Sequence, residues 1–159
     1  MRHDMATTQV GEDLLQLVSF TIGDEEFGVD ILHVQEIIRM VQVTRVPNMP
    51  PFVDGVINLR GKVIPVVDLR KRLGMEAKKH DQLTRTIVME LEGKVVGFVV
   101  DAVSEVLRID RSKTEPPPSI VGGNKADYIK AIGRLDDRLL TLLDLEKVLV
   151  EQDAGKYAA

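Results

Sequence analysis

An internal repeat constrains the fold of this chain more than any other feature. Residues 52–56 (FVDGV) resemble residues 128–132 (YIKAI), and residues 63–69 (VIPVVDL) resemble residues 139–145 (LLTLLDL). Both matches share one offset, because 128 − 52 and 139 − 63 are each 76. An upstream match has an offset of 69 and pairs Gly28 with Gly97, Val34 with Val103, Glu36 with Glu105, and Ile37 with Val106. Constant offsets of this kind predict a duplicated structural unit.

The duplicated unit is predicted to be mainly β. Short apolar segments alternate with turn dipeptides such as Gly-Asp, Arg-Gly and Glu-Gly, and short strands with tight turns favour small barrels. Each unit is too small to be very stable alone, so we expect the two units to bury apolar faces against each other. Strands are predicted at residues 14–22, 25–29, 56–59, 62–67, 84–91, 94–100, 128–135 and 138–143, and a further segment of unassigned type at 101–106.

Three aspartates are predicted to cap helices. The first helix is predicted to run from Asp30 to about Met40, because apolar residues at positions 31, 34, 37 and 38 recur at helical spacing. Asp68 is predicted to cap a short helix over residues 69–73, which ends at Gly74. Asp144 is predicted to cap a third helix that runs through Val150.

Polar segments divide the chain into five parts. Residues 1–13 are predicted to be a flexible tail, residues 14–74 the first barrel-forming half, and residues 75–82 (MEAKKHDQ) a linker. Residues 83–150 are predicted to form the second barrel-forming half, and residues 151–159 a C-terminal tail. The N-terminus lacks the apolar stretch of a signal peptide, and no apolar run approaches the roughly 20 residues that span a bilayer.

Composition argues against several function classes. The net charge is −4, basic and acidic residues are interleaved, and there are two Tyr, four Phe and no Trp, so nucleic acid is not expected as a partner. The absence of cysteine excludes disulfides and thiolate chemistry and agrees with a reducing cytosol. The three histidines, His3, His33 and His80, show no metal-ligand spacing, and no nucleophile or phosphate-loop motif occurs. We therefore expect no enzymatic activity, cofactor or metal.

The segment from Gly55 to Arg70 (GVINLRGKVIPVVDLR) stands out as a hairpin with Arg60-Gly61 at its turn. Gly61 suits a backbone angle that other residues resist, and Asn58 can accept a hydrogen bond from its own backbone. Two interpretations of Arg60 stay open: a solvated turn residue, or an exposed fork-shaped donor suited to a carboxylate of a partner.

Three ordered motifs resemble the CheW family. They are GDEEFGVDILHVQEI at residues 23–37 followed by VTRVPNMP, the NLRG hairpin followed by KVIPVVDLR, and GKVVGFVVDAVSEVL at residues 93–107. The resemblance runs from about Leu14 to Val150. It implies two pseudo-repeated, interlocked five-stranded SH3-like barrels that share an apolar interface, with short helices. It also implies a non-catalytic cytoplasmic scaffold, recruited to membrane receptor arrays without inserting into the membrane itself.

The resemblance further implies partners and contact residues. The partners are the cytoplasmic tip of a chemoreceptor (a methyl-accepting chemotaxis protein) and the regulatory domain of the histidine kinase CheA, with the isolated protein a monomer. The kinase contacts would be Val43, Thr44, Arg45 and Ile120, although the Pro116–Pro118 run departs from the family's pattern beside Ile120. The receptor contacts would be Val34, Glu36, Ile37 and Arg60, with Val96, Gly97, Phe98 and Val99 as the other wall of a groove.

Rival hypotheses remain at this point. The chain could be a regulatory module of a larger chemotaxis protein, which its length and tails argue against. It could be a small β-barrel enzyme, although no catalytic set is present. It could also be an oligonucleotide-binding barrel, against which its acidic charge and few aromatic residues argue.

Overall fold

The computed structural model describes residues 13–39, 42–117 and 128–149. These residues form mainly β-structure with two short helices, α1 (Leu69–Arg72) and α2 (Leu145–Leu149), and two 3₁₀ turns, Ile31–His33 and Arg111–Lys113. The strands in chain order are β1 (Leu14–Ile22), β2 (Glu25–Asp30), β3 (Val34–Arg39), β4 (Val53–Leu59), β5 (Lys62–Asp68), β6 (Arg85–Leu91), β7 (Lys94–Val100), β8 (Ala102–Asp110), β9 (Thr114–Glu115), β10 (Ile129–Arg134) and β11 (Leu139–Leu143).

The predicted helix from Asp30 to Met40 is wrong. Asp30 does act as a cap, since its carboxylate accepts a hydrogen bond from the amide of Leu32, but it caps only a single 3₁₀ turn. Strand β3 follows at once, and its burial alternates residue by residue, as in a strand with one covered face. The apolar residues follow a helical period, but pairing with β6 places residues 34–39 in a strand.

The two other capping aspartates behave as predicted and in the same way. Asp68 accepts from the amide of Arg70 at 2.9 Å, and Asp144 accepts from the amide of Glu146 at 3.2 Å. The backbone before each cap also repeats, because the amide of Asp68 donates to the carbonyl of Phe52 and the amide of Asp144 donates to the carbonyl of Tyr128. The offset of 76 residues therefore corresponds to a repeated structure, a hairpin followed by a capped helix.

Each of two barrels contains strands from both halves of the sequence. The five-stranded barrel has the order β3-β6-β7-β5-β4, and the six-stranded barrel has the order β8-β1-β2-β11-β10-β9, in which β9 has only two residues. Strand β3 thus completes a barrel whose centre is the β6–β7 hairpin, while β8 completes the one that contains the β1–β2 hairpin. This exchange interlocks the two barrels and confirms the predicted fold class.

The strand registers show the same duplication. In the five-stranded barrel, β5 pairs in parallel with β7, and Val66 lies opposite Gly97. In the six-stranded barrel, β11 pairs in parallel with β2, and Leu142 lies opposite Gly28. These residues are equivalent through the offsets of 76 and 69, so the two barrels are built to the same plan.

The barrels share an apolar interface. The largest core cluster contains Phe20, Phe27 and Val29 from the six-stranded barrel together with Ile87 and Phe98 from the five-stranded barrel. Two smaller clusters lie inside the individual barrels, one around Ile57, Ile64, Val66, Val88 and Val99, and the other around Leu17, Ile109, Leu140 and Leu142. Because burial of apolar area is the main stabilising term, the shared cluster holds the barrels together.

Two arginines also join the halves of the chain. The Arg72 guanidinium lies 4.2 Å from the ring centre of Phe52 and 4.9 Å from that of Tyr128, and its Nε donates to the carbonyl of Val148. Arg70 donates two hydrogen bonds to Asp101, which also accepts from the amide of Gly23. Both arginines come from α1, so α1 is fixed against the second half of the sequence.

Candidate functional site

An ion pair between Glu36 and Arg60 is the centre of the predicted receptor site. Glu36 lies on β3 and Arg60 at the turn between β4 and β5, 24 positions later in the chain. Two hydrogen bonds join the side chains, one of 3.2 Å from Nη1 to Oε1 and a second from Nη2 to Oε2. The side chain of Arg60 is 71% exposed and that of Glu36 is 27% exposed, so both can be reached from solvent.

The turn that carries Arg60 has an unusual backbone. Arg60 and Gly61 both have positive φ angles, of 52° and 85°, as in the two-residue turns that match the twist of a hairpin. Asn58 stabilises this turn, because its side-chain oxygen accepts from the amide of Gly61 at 2.9 Å, as predicted. The local sequence therefore holds the guanidinium outside the barrel and within reach of β3.

Electrostatics favour the charged forms of both partners. The hydrogen bond from Arg60 holds the pKa of Glu36 below its usual value, and the same bond raises the pKa of Arg60. Both groups therefore stay ionised at neutral pH. Because the pair is exposed, water can replace either partner at small cost, and so can a charged group of another protein.

The apolar residues predicted for this site divide into exposed and buried ones. Ile37 is 39% exposed beside Glu36, and Val34 is half-buried against the shared core. The four predicted residues of the opposite wall, Val96, Gly97, Phe98 and Val99, are buried within the central strand β7. Buried side chains can support a site from inside the barrel, so the direct contact of these four residues with a partner stays a prediction.

The predicted kinase contact falls on the segment that closes the five-stranded barrel. Thr44 forms a bridge with Val56 through two backbone hydrogen bonds of 2.8 Å. Val43 packs against the core of that barrel, whereas Thr44 and Arg45 are exposed. Ile120 lies outside the described residues.

Comparison with known proteins assigns the family. The model of the CheW-like domain matches residues 16–153. The chain belongs to the CheW-like family. It is 40% identical over 149 residues to "Chemotaxis protein CheW" of Klebsiella aerogenes, a match that covers 94% of this chain and 88% of the relative. The protein of the same name from Helicobacter pylori is 38% identical over 138 residues, covering 87% of this chain and 83% of the relative.

A solved structure of the family agrees with the architecture. The crystal structure of the scaffolding protein TtCheW from Thermoanaerobacter tengcongensis is 36% identical to this chain and superposes with a TM-score of 0.81. The match covers 87% of this chain and 94% of that one. The resemblance that the three motifs predicted is therefore confirmed for both family and fold.

A second ion pair at an equivalent place was missed in the sequence. Arg138, which precedes β11, donates to Glu26 at 2.6 Å and to Glu105 of β8 at 3.3 Å. Glu105 is the repeat equivalent of Glu36 at the offset of 69, and Arg138 follows the β10–β11 turn as Arg60 occupies the β4–β5 turn. The repeat could have identified only Glu105, because the offset of 76 aligns Arg60 with Asp136 and Arg138 with Lys62.

The described residues contain neither a membrane-spanning helix nor a metal-binding cluster. None of the helices in the described ranges is long and apolar enough to cross a membrane. Across the same residues, no group of three or more His, Asp or Glu side chains is placed to hold a metal ion.

Proposed function

We propose that this chain is a non-catalytic scaffold of bacterial chemotaxis, which couples the cytoplasmic tip of a chemoreceptor to the histidine kinase CheA. Membership of the CheW-like family supports a role as a chemotaxis adaptor. The observation that carries the finer proposal is the exposed Glu36–Arg60 pair beside the exposed Ile37. On this proposal the protein is cytoplasmic and reaches the membrane only through receptor arrays.

The proposed receptor surface comprises Val34, Glu36, Ile37 and Arg60. Its chemistry fits an amphipathic helical hairpin, because Ile37 and Val34 offer apolar area while Glu36 and Arg60 offer one charge of each sign. Arg60 can donate to a partner carboxylate in a forked geometry that lysine cannot reproduce. Since Arg60 already pairs with Glu36, a receptor acid would exchange with Glu36 or share the guanidinium.

The proposed kinase surface lies on the closing segment of the five-stranded barrel, at Val43, Thr44 and Arg45. Ile120, which lies outside the described residues, is proposed as part of a second kinase contact. Two such contacts on one monomer would let the chain join kinase regulatory domains into an extended assembly. Individually modest contacts are strengthened in an assembly of this kind, because each later contact forms at high effective concentration.

Coupling would use the interlocked architecture. Strand β3 carries Glu36, and the chain leads directly from β3 to the proposed kinase segment at residues 43–45. A receptor that changes its contacts at β3 therefore acts next to the kinase contact. The difference between the receptor's affinities for two conformations of this segment would set the size of the change in kinase activity.

Binding to a cognate receptor fragment tests the receptor surface. Arg60→Ala should weaken binding by about tenfold, the loss expected when a charge-assisted hydrogen bond of about 1.4 kcal/mol is removed. Arg138→Ala is the matched control, because it removes a comparable exposed arginine–glutamate pair on the six-stranded barrel. Equal losses for both variants, or wild-type affinity for Arg60→Ala, would contradict the assignment of the surface.

A further inference from the structure

Two arginines face each other at one end of the five-stranded barrel. Arg39, the last residue of β3, lies directly opposite Arg85, the first residue of β6. Like charges at directly opposite positions of an antiparallel pair destabilise the sheet. Within the described ranges, neither guanidinium forms an ion pair with an acidic side chain. The register therefore brings together two like charges that no acidic side chain of the described residues neutralises.

Asp81 lies in the same region but is already engaged. It accepts hydrogen bonds from the amide of Leu83 at 2.8 Å and from the hydroxyl of Thr84, and its other oxygen lies 3.6 Å from Nζ of Lys78. The amide bond from Leu83 is the main reason why the pKa of Asp81 lies below its usual value. Asp81 thus serves its own turn and does not neutralise the arginines.

Arg85 is held in place over the turn that precedes β6. Its Nη1 donates to the carbonyls of Gln82 and Thr84, each at 2.8 Å. The other donors of this guanidinium remain available to a carboxylate, since arginine carries five N–H groups. Fixed orientation lowers the entropy cost of accepting such a partner.

An exposed leucine accompanies these charges. Arg39, Asp81, Gln82, Leu83, Thr84 and Arg85 line an open depression of about 560 Å³. Leu83 is 62% exposed there. An apolar side chain accompanied by two cations fits a protein segment that carries an apolar residue beside carboxylates.

The depression adjoins the proposed kinase contact along the chain. Val43 is four residues after Arg39, so their Cα atoms are at most about 14 Å apart. The same loop carries the exposed Arg45 and the partly exposed Val46 and Met49. Although the whole chain has a net charge of −4, this end of the barrel is rich in arginine.

We propose that the depression around Arg39, Leu83 and Arg85 is a docking surface for an acidic, apolar-containing segment of the kinase regulatory domain. It extends the contact at residues 43–45 and selects its partner by charge. This inference rests on the proposed coupling function and adds the chemistry of the kinase segment.

The test compares binding of the cognate full-length kinase to Arg39→Gln, Arg85→Gln and Lys94→Gln. Each variant removes one positive charge, and Lys94 is the control because it begins β7, at the opposite end of the β6–β7 hairpin. Each arginine variant should weaken kinase binding about three- to tenfold at low salt and reduce its salt dependence. Lys94→Gln should bind like wild type, and all three should bind the receptor fragment normally.

Unfolding measurements separate a partner role from a structural one. If the arginines serve the partner, Arg39→Gln should unfold at the same or a higher urea concentration than wild type, because it relieves the opposed charges. A lower midpoint with unchanged kinase binding would overturn the inference. A second result would also overturn the inference: millimolar inorganic phosphate stabilises the wild type but not the variants, and the variants bind the kinase like wild type. The depression would then be a site for small anions.

The outcomes also separate this inference from the function on which it rests. If Arg39→Gln and Arg85→Gln bind the kinase like wild type while the wild type still couples kinase activity to the receptor, only the docking surface is wrong. If the wild-type chain binds no kinase, both the coupling function and the docking surface are overturned.

Discussion

Gly55 lies beside the proposed kinase contact, and a methyl group added at this position should strongly destabilise the protein. Its φ angle is 154°, and a Cβ atom placed there would lie 2.2 Å from the carbonyl oxygen of Thr44. That carbonyl accepts from the amide of Val56, and the amide of Thr44 donates back to Val56. Because the obstructing atom is backbone, Gly55→Ala can be accommodated only if the segment at residues 43–45 moves away.

The expected cost follows from these contacts. Moving the segment breaks two backbone hydrogen bonds, each worth about 1 kcal/mol net. An alanine at a positive φ adds about 1 to 2 kcal/mol of backbone strain. Gly55→Ala should therefore lower the free energy of unfolding by about 3 to 4 kcal/mol. The same change displaces Val43, Thr44 and Arg45, so kinase binding should fall as well.

Gly61→Ala is the matched control. Gly61 also has a positive φ, but no atom of the described residues outside its own turn lies within 4 Å of the point that a Cβ would occupy. The substitution should cost about 1 to 2 kcal/mol, the strain alone. Urea unfolding gives both values, and hydrogen exchange at the amide of Thr44 reports whether the bridge has opened. The reasoning would be refuted if the two variants differed by less than about 0.5 kcal/mol while the Thr44 amide stayed protected.

Three further substitutions test the side chains that position α1. Arg70 holds the pKa of Asp101 below its usual value, so this pair stabilises the fold above about pH 4 and loses its effect as the pH falls through the lowered pKa. Asp101→Asn should cost about 2 kcal/mol at pH 7 in urea unfolding and less near pH 3. Burial and then the charge of Asp54 raise the pKa of Asp68, so its ionisation costs stability as the pH rises through that raised value. Asp68→Asn, which keeps the cap, should be at least as stable as wild type at pH 7 and lose any advantage near pH 4. Arg72→Met should cost about 2 kcal/mol, because it removes the contacts with two aromatic rings and a carbonyl; an unchanged midpoint would contradict that role.

The duplication was the part of the fold that the sequence predicted best. The offset of 76 residues aligns Asp68 with Asp144, and both cap a helix after the second strand of a hairpin. The exchange of the β1–β2 and β6–β7 hairpins between the two halves could not be derived from the residues, because each half contains enough strands to form a barrel alone. Interlocking depends on long-range pairing, for which local sequence carries no signal; only the family resemblance implied it.

The error at residues 30–40 has a specific physical cause. Apolar residues at positions 31, 34, 37 and 38 satisfy a helical period, yet Val34, Ile37 and Ile38 are β-branched and suit a strand. The period of the apolar residues favoured a helix, whereas the β-branched side chains favoured a strand. Pairing with β6 selects the strand.

The site was predicted only in part for a similar reason. Arg60 and Glu36 were each proposed as contacts, but their mutual ion pair spans 24 residues and depends on the closed barrel. The burial of Val96 and Phe98 follows from the central position of β7 in its sheet, which the sequence does not reveal. Likewise, Arg39 and Arg85 become neighbours only through the register of β3 with β6.

Kinase autophosphorylation in a reconstituted mixture tests the central claim most directly. The mixture contains a cognate receptor fragment and the full-length kinase, with or without this protein, and Arg60→Ala is run beside the wild type once the two have been shown to unfold at the same midpoint. We predict that kinase activity responds to the receptor only when the wild-type protein is present, and that Arg60→Ala loses this response. Kinase activity that ignores the protein, with neither partner binding it, would contradict the account and leave only a shared fold.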